Sequence, residues 1–231
     1  MPRQLSSGER EYATLVAELR ALEEDVEAAR ATARRATAGP GLGLHAHHES
    51  APALHGERVG LRDGAEIVIR PIEPDDMHAL AIGFEHLGAL SRFRRFREPI
   101  DHLSPSQLTY LTHVDHDSHE ALVALDLATG EGVGVARYVR APEDPARAEF
   151  ACTVADLWQG RGVGTALVER LAARARASGI ERFSALILVG NEPARRLLAH
   201  VADVVSEHRE GGTIEITAES RHDSTEAPRR P

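Results

Sequence analysis

Apolar and polar positions fall into three regimes along the chain. In the first, Tyr12, Leu15, Leu19, Leu22, Val26, Ala29 and Ala33 alternate at spacings of three and four, with Glu and Arg between them. That stripe predicts a helix over residues 7–37, about three heptads long, which either lies on the rest of the chain or pairs with a second copy as a short coiled coil. Gly39 and Pro40, with Gly41 and Gly43 close behind, stop it. Residues 1–38 thus read as an amphipathic helical extension and 39–57 as a flexible Gly/His-rich linker. From residue 58 onward, short strand-like and helix-like patterns alternate. Strands are expected at Glu66–Arg70, Ala121–Leu127, Gly132–Val139, Ala148–Ala155, Phe183–Val189 and Thr213–Thr217. Helices are expected at Pro74–Leu87, Pro105–Thr112, Gly162–Ala177 and Glu192–Val201. Residues 58–218 form the expected folded domain, and the polar stretch 219–231 an expected disordered tail.

Composition narrows the class. The 231 residues are 42% hydrophobic and 27% charged, the balance of a soluble globular protein. No apolar run approaches the ~18 residues that span a bilayer, and Met1-Pro2-Arg3-Gln4 opens no secretory leader. The single cysteine, Cys152, forms no internal disulfide and agrees with a reducing, cytoplasmic setting. All 27 basic side chains are Arg, which suggests a GC-rich bacterial genome and leaves no lysine of its own to modify. A net charge of −9 argues against sequence-independent nucleic-acid binding. His45, His47, His48 and His55 crowd the linker, but no Cys or clustered carboxylate completes a metal shell, so no metal is expected.

Thr153-Val154-Ala155-Asp156-Leu157-Trp158-Gln159-Gly160-Arg161-Gly162-Val163-Gly164-Thr165 carries the sharpest chemistry. A buried strand enters a turn with three glycines, and an amphipathic helix leaves it with Val168, Leu171, Ala172 and Ala175 on one face. Glycine permits positive φ and close approach to the backbone, and free amides at a helix start bind phosphate. A P-loop needs a lysine, and the glycines read GxGxG where a dinucleotide fold has GxGxxG.

The order Gln159-x-x-Gly162-x-Gly164 after a long strand resembles the acetyl-CoA pyrophosphate loop of GNAT N-acetyltransferases. Val68-Ile69-Arg70-Pro71-Ile72-Glu73-Pro74-Asp75-Asp76 looks like that superfamily's first strand and helix entry, and the 183–189 strand followed by Asn191, Ala194 and Leu197 like its fifth strand and next helix. Leu111–Asp117, Gly134–Tyr138 and Ala148–Ala151 resemble the acetyltransferase domain of bacterial Pat-type protein lysine acetyltransferases. The resemblance implies a mixed α/β (α+β) fold: a mostly antiparallel sheet of roughly six to seven strands flanked by about four helices. It also implies acetyl-CoA as co-substrate, held by Gln159, Gly160, Arg161, Gly162, Val163, Gly164 and Thr165, with Asn191 near the pantetheine. Backbone amides around Cys152, Thr153 and Val154 would hold the thioester oxyanion where the family's fourth and fifth strands splay apart.

Transfer of acetyl to an amine requires that the amine lose a proton, since a lysine with pKa near 10.4 is only about 0.04% neutral at pH 7. By the family match, Glu149 stands where Pat-type enzymes place their base, and apolar Ala148, Phe150 and Ala151 would shield it from water. An outward, solvated glutamate is the competing reading. Leu198 occupies the position, seven residues after Asn191, where many relatives carry the Tyr that protonates the leaving thiolate. Cys152 reads as a small buried residue, not a nucleophile. His113, Asp115, His116 and Asp117 fit either an acceptor groove or a polar helix end; Arg92, Arg94, Arg95 and Arg97 fit a CoA 3′-phosphate patch or a solvated face. The expected function is acetyl transfer to a protein lysine; the alternatives are a small-amine acetyltransferase and a silent acyl-CoA-binding regulator.

Overall fold

The computed structural model describes residues 55–97 and 99–221. The 7–37 helix with its possible dimer seam, most of the linker with His45, His47 and His48, and the tail from 222 lie outside the described residues.

Eight strands form one sheet in the order β1-β2-β3-β4-β5-β6-β8-β7. They are β1 Glu57–Gly60, β2 Glu66–Pro71, β3 His119–Asp126, β4 Gly132–Ala141, β5 Asp144–Val154, β6 Arg182–Leu188, β7 Ala202–Glu210 and β8 Thr213–Ser220. Every neighbouring pair is antiparallel except β5–β6. The helices are α1 Met77–Glu85, α2 Ala89–Phe96, α3 Pro105–Thr112, α4 Val163–Ala177 and α5 Glu192–Val201. This is the mixed α/β architecture expected, with more elements than the sequence pattern declared. β1 is four residues long and mostly exposed, and β7 is exposed along almost its whole length. Neither shows the apolar alternation that marks a strand, because each is held mainly by its ladder to one neighbour. α2 went unexpected because its arginines disguise an apolar face. β8 also runs through Ser220, past the domain boundary at 218.

The sheet is covered on both sides. On β3, Leu122 and Ala124 pack with α4 in the main core, while Ala121, Val123 and Leu125 form a second cluster with Ile72 on the opposite side. α4 contributes Val163, Ala166, Leu167, Leu171, Ala172 and Ala175 at helical spacing, all buried. The opposite layer is α1 to α3, whose Phe84, Leu87, Leu103 and Leu111 make a third cluster. α3 starts where its sequence dictates: Ser104 accepts from the Gln107 amide, Gln107 reaches back to the Ser104 amide, and Pro105 fills the first turn. Before α1, Asp76 accepts both guanidinium nitrogens of Arg70 at 2.6 Å and the Glu73 amide at 2.7 Å. α1 lies against β4 through two glycines. A Cβ on Gly83 would stand 2.9 Å from the Gly132 carbonyl oxygen, and one on Gly132 would stand 2.9 Å from that of Ala79.

Candidate active site

The site begins where β5 and β6 part. Their parallel pairing covers only Arg147–Arg182, Ala148–Phe183 and Glu149–Ser184, while β5 continues to Val154 and β6 to Leu188. Ala155 donates its amide to the Val133 carbonyl at 2.9 Å, and the register with β4 runs unbroken from Gly134–Val154 to Arg140–Ala148. In an antiparallel ladder alternate residues bond to the same neighbour, so Glu149, Ala151 and Thr153 turn their amides to β4. The amides of Cys152 and Val154 point the other way, into the gap. Of the three residues expected to offer oxyanion donors, Cys152 and Val154 are so placed; Thr153 offers its side chain to a cavity on the α1–α3 face instead. Burial pushes the Cys152 thiol up to about 12, which leaves it an inert small residue.

The glycine turn opens onto the same gap. Gly160 and Gly162 adopt φ of 74° and 109°, and α4 starts at Val163 without a side-chain cap. Among the described residues, no acceptor engages the amides from Gly160 to Thr165. They form an unfilled row of donors at the positive end of a 15-residue helix. Other contacts fix the turn. The Gln159 side-chain amide donates to the Val154 carbonyl at 3.1 Å, to Asp156 at 3.0 Å and to Ser91 at 3.3 Å. Asp156 in turn accepts the Gly88 amide at 2.8 Å, tying the loop to the start of α2. Arg161 pairs with Asp63, and its guanidinium lies 4.0 Å over the Trp158 ring. Gly164 brings α5 close, since a Cβ there would meet Leu197 at 3.1 Å. Asn191 caps α5 by accepting the Ala194 amide at 3.4 Å, so its side chain has a structural duty. Leu198 is wholly buried in the main core and supplies no proton donor.

Glu149 is exposed. Its neighbours Ala148 and Phe150 point into the main core, on the other side of the strand, so they do not shield the carboxylate as their sequence adjacency suggested. It shares its face of β5 with Ala151 and Thr153, which line a cavity of about 60 Å³. Two arginines reach the same cavity. Arg95, from α2, is held below its ordinary pKa by burial and attracted by Glu149. Arg137, from β4, is buried and pushed down to about 9, first by burial and then by Arg95. Arg137 bonds to the His119 ring nitrogen at 3.1 Å and to the Leu111 carbonyl at 3.1 Å. Burial, then Arg137, lowers His119 to about 4, so its imidazole is neutral. The arginines expected to form a CoA 3′-phosphate patch or a solvated face do not act as one group: Arg95 lines the cavity, Arg92 lies 4.6 Å over Phe84 and binds carbonyls at the end of α1, and Arg97 is exposed. Arg137 has its own sequence signal, a charge within the apolar run Val133–Val139.

The His113–Asp117 cluster folds into a turn. Asp115 accepts the Asp117 and His119 amides at 3.0 and 2.8 Å and the Ser118 hydroxyl at 2.5 Å, which hold its carboxyl well below the usual range. His116 adopts φ of 59° and pairs with buried Glu120 at 2.8 Å. The polar helix-end reading fits this geometry. Among the described residues, no group of His, Cys, Asp and Glu is arranged to hold a metal.

Known proteins share this arrangement. The model of the acetyltransferase (GNAT) family matches residues 88–202. Acetyltransferase Pat of Mycolicibacterium smegmatis is 32% identical over 146 residues, which cover 63% of this chain and 44% of that protein. An acetyltransferase of Pseudomonas aeruginosa is 32% identical over 139 residues, covering 59% of this chain and 74% of it. Among solved structures, the GNAT domain of S. lividans PAT superposes with a TM-score of 0.62 at 32% identity, over 71% of this chain and 96% of that one. The cAMP-binding acyltransferase from Mycobacterium smegmatis gives 0.53 at 28% identity, over 77% and 50%. A splayed mixed sheet with a free-amide turn at its gap defines the fold class, and the chain belongs to the GNAT acetyltransferase family. It spans less than half the length of the Pat relative.

Proposed function

We propose that this protein transfers acetyl from acetyl-CoA to a primary amine, most specifically a protein lysine side chain, by direct attack in a ternary complex. The observation that carries the reading is the row of unpaired amides from Gly160 to Thr165 beside the β5–β6 gap. Those amides suit a diphosphate, and the gap admits the extended arm of a thioester carrier. Arg161 stands beside them, and Asn191 at the opposite rim fixes the start of α5. The Cys152 and Val154 amides face the position where the carbonyl oxygen gains charge, and donors fixed in advance stabilise such a charge at little reorganisation cost. Glu149, on the face where an acceptor enters, takes the proton of the attacking amine. Its exposure suits a lysine presented on another protein's surface, and the Pat relative supports that acceptor class. With Leu198 buried, the thiolate is neutralised by water or by the proton Glu149 has gained.

A second reading, transfer to a small amine, is favoured by the partly enclosed cavity lined by Ala151 and Thr153, on the face of β5 that also carries Glu149. We place the reaction in the bacterial cytoplasm, and the heptad stripe over residues 7–37 supports pairing of two copies; deletion of residues 1–38 tests this by a change in sedimentation mass with kinetics unchanged. The deciding experiment measures acetyl-CoA turnover on lysine-bearing proteins and on small amines, with wild type and Glu149→Gln. Loss of a general base costs about 10²–10⁴ in rate, so turnover should fall at least 100-fold with CoA affinity retained. Unchanged turnover removes the base, and CoA binding without turnover on any acceptor identifies a silent regulator.

A further inference from the structure

The α1–α3 cavity carries a charge that the acetyl reaction does not use. Most of its wall is apolar, with Leu80, Phe84, Phe96 and Val123 among its lining. Into that wall come two guanidinium groups from separate elements, Arg95 on α2 and Arg137 on β4. Among the described residues Arg137 is satisfied only by neutral acceptors, the His119 ring and the Leu111 carbonyl. Arg95 forms no hydrogen bond or ion pair among the described residues; its contacts are the Phe96 ring, 5.0 Å away, and the field of Glu149. Two neighbouring cations thus share a largely apolar cavity, and the one carboxylate that attracts Arg95, the exposed Glu149, lies outside its lining. Buried charge is costly unless compensated, and paired guanidinium groups match the flat, two-oxygen fork of a carboxylate. About 60 Å³ takes about four to six non-hydrogen atoms, enough for one carboxylate and its neighbouring methylenes against the apolar side, with the far end of a longer molecule left at the open mouth.

We propose that this cavity binds a carboxylate borne on a short aliphatic stem, delivered by a participant in the transfer reaction. The proposal rests on the acyltransferase reading of the β5–β6 gap, because Thr153 and Ala151 join the gap to the cavity. Two sources supply this chemistry: the far end of a dicarboxylic acyl group on the thioester, or the carboxylate of an acceptor amine.

Three measurements on the full chain test it, each with wild type, Arg95→Met and Arg95→Lys. Calorimetry with glutarate reads the cavity without any turnover; saturable binding that weakens at least tenfold in Arg95→Met, and is partly kept in Arg95→Lys, is expected. Comparison of succinyl-CoA with butyryl-CoA on one amine reads the acyl source. Comparison of 4-aminobutyrate with butylamine, using acetyl-CoA, reads the acceptor source. A tenfold kcat/KM preference for the charged member in one arm, lost in Arg95→Met, assigns the source. Absence of glutarate binding together with no charged preference in either arm overturns the proposal, whether or not CoA binds. CoA titration separates the two readings: no CoA binding with Arg95-dependent glutarate binding sinks the acyltransferase reading and leaves the cavity assignment standing.

Discussion

Replacing Gly162 with Ala tests the amide turn directly. Gly162 sits at φ 109° and ψ −7°, outside the small left-handed well near +60° that L residues tolerate. Its missing side chain is not a packing matter, since an added Cβ would find only Leu61 Cδ2, at 4.0 Å. The cost is therefore backbone strain, about 2–3 kcal/mol for an L residue held there. The chain has two ways to meet it. If the turn keeps its shape, the strain appears as lost global stability, and CoA affinity is unchanged. If the turn relaxes, Gly160 to Thr165 no longer present their amides together, and CoA binding weakens by up to the same free energy, about 30- to 150-fold. Denaturant unfolding and CoA calorimetry on the same variant should thus show losses that sum to about 2–3 kcal/mol. Gly179→Ala is the control: at φ 77°, beyond the far end of α4 and with nothing within 4 Å, it should cost about 1 kcal/mol of stability and leave CoA binding alone. A Gly162→Ala protein that unfolds like wild type and binds CoA within twofold refutes the argument.

Other consequences follow from single contacts. Asp76→Ala leaves Arg70 half-buried with neither of its two 2.6 Å bonds, and about 3 kcal/mol of stability should go, read as a lower urea midpoint at constant slope. His119 binds protons only near pH 4 when folded but near 6.5 when unfolded, so its contribution is intact above about pH 6.5 and is lost as pH falls toward 4. The stability difference between wild type and His119→Asn should change across that window and be flat above it; a flat difference throughout means that the ring is not buried neutral. The Cys152 thiol, half-buried against the main core and pushed up to about 12, should react with iodoacetamide at pH 8 at least tenfold more slowly than a free thiol, and labelling at the free-thiol rate would contradict the raised pKa.

What the sequence revealed and what it withheld separate along a physical line. The glycine turn, α3 and α4 were legible because their causes are local: positive φ, a Ser104–Gln107 box behind Pro105, and apolar residues repeating at helical spacing. β7 was not, because its side chains face water and its identity as a strand comes from the ladder to β8. α2 hid because Arg92 and Arg95 spend their apolar surface on Phe84 and Phe96, so charge in the sequence became packing in the fold. The arginine cavity is tertiary throughout. It draws on α1, α2, α3 and three strands, and it closes because Gly83 and Gly132 let α1 come down onto β4.

The alternation of β5 joins these parts into one site. With β4 on one edge and the pairing to β6 ending at Glu149–Ser184 on the other, the amides of Cys152 and Val154 meet no ladder partner among the described residues. Each odd residue, from Glu149 to Thr153, has its side chain on the cavity face. A two-residue period thus turns the Cys152 and Val154 amides at right angles to the Glu149 side chain on one strand, with Cys152 three residues, roughly 10 Å, beyond Glu149 along the chain. The same period explains the misread environment of Glu149. Adjacency in sequence placed it among apolar residues, but in a strand the immediate neighbours belong to the opposite face, and the residues that share its surroundings are two positions away. Arg137, opposite Ala151 in the register, belongs to that surrounding, and Arg95 approaches it from α2. The cations nearest this face of β5 therefore come from β4 and α2, elements far from Glu149 in sequence.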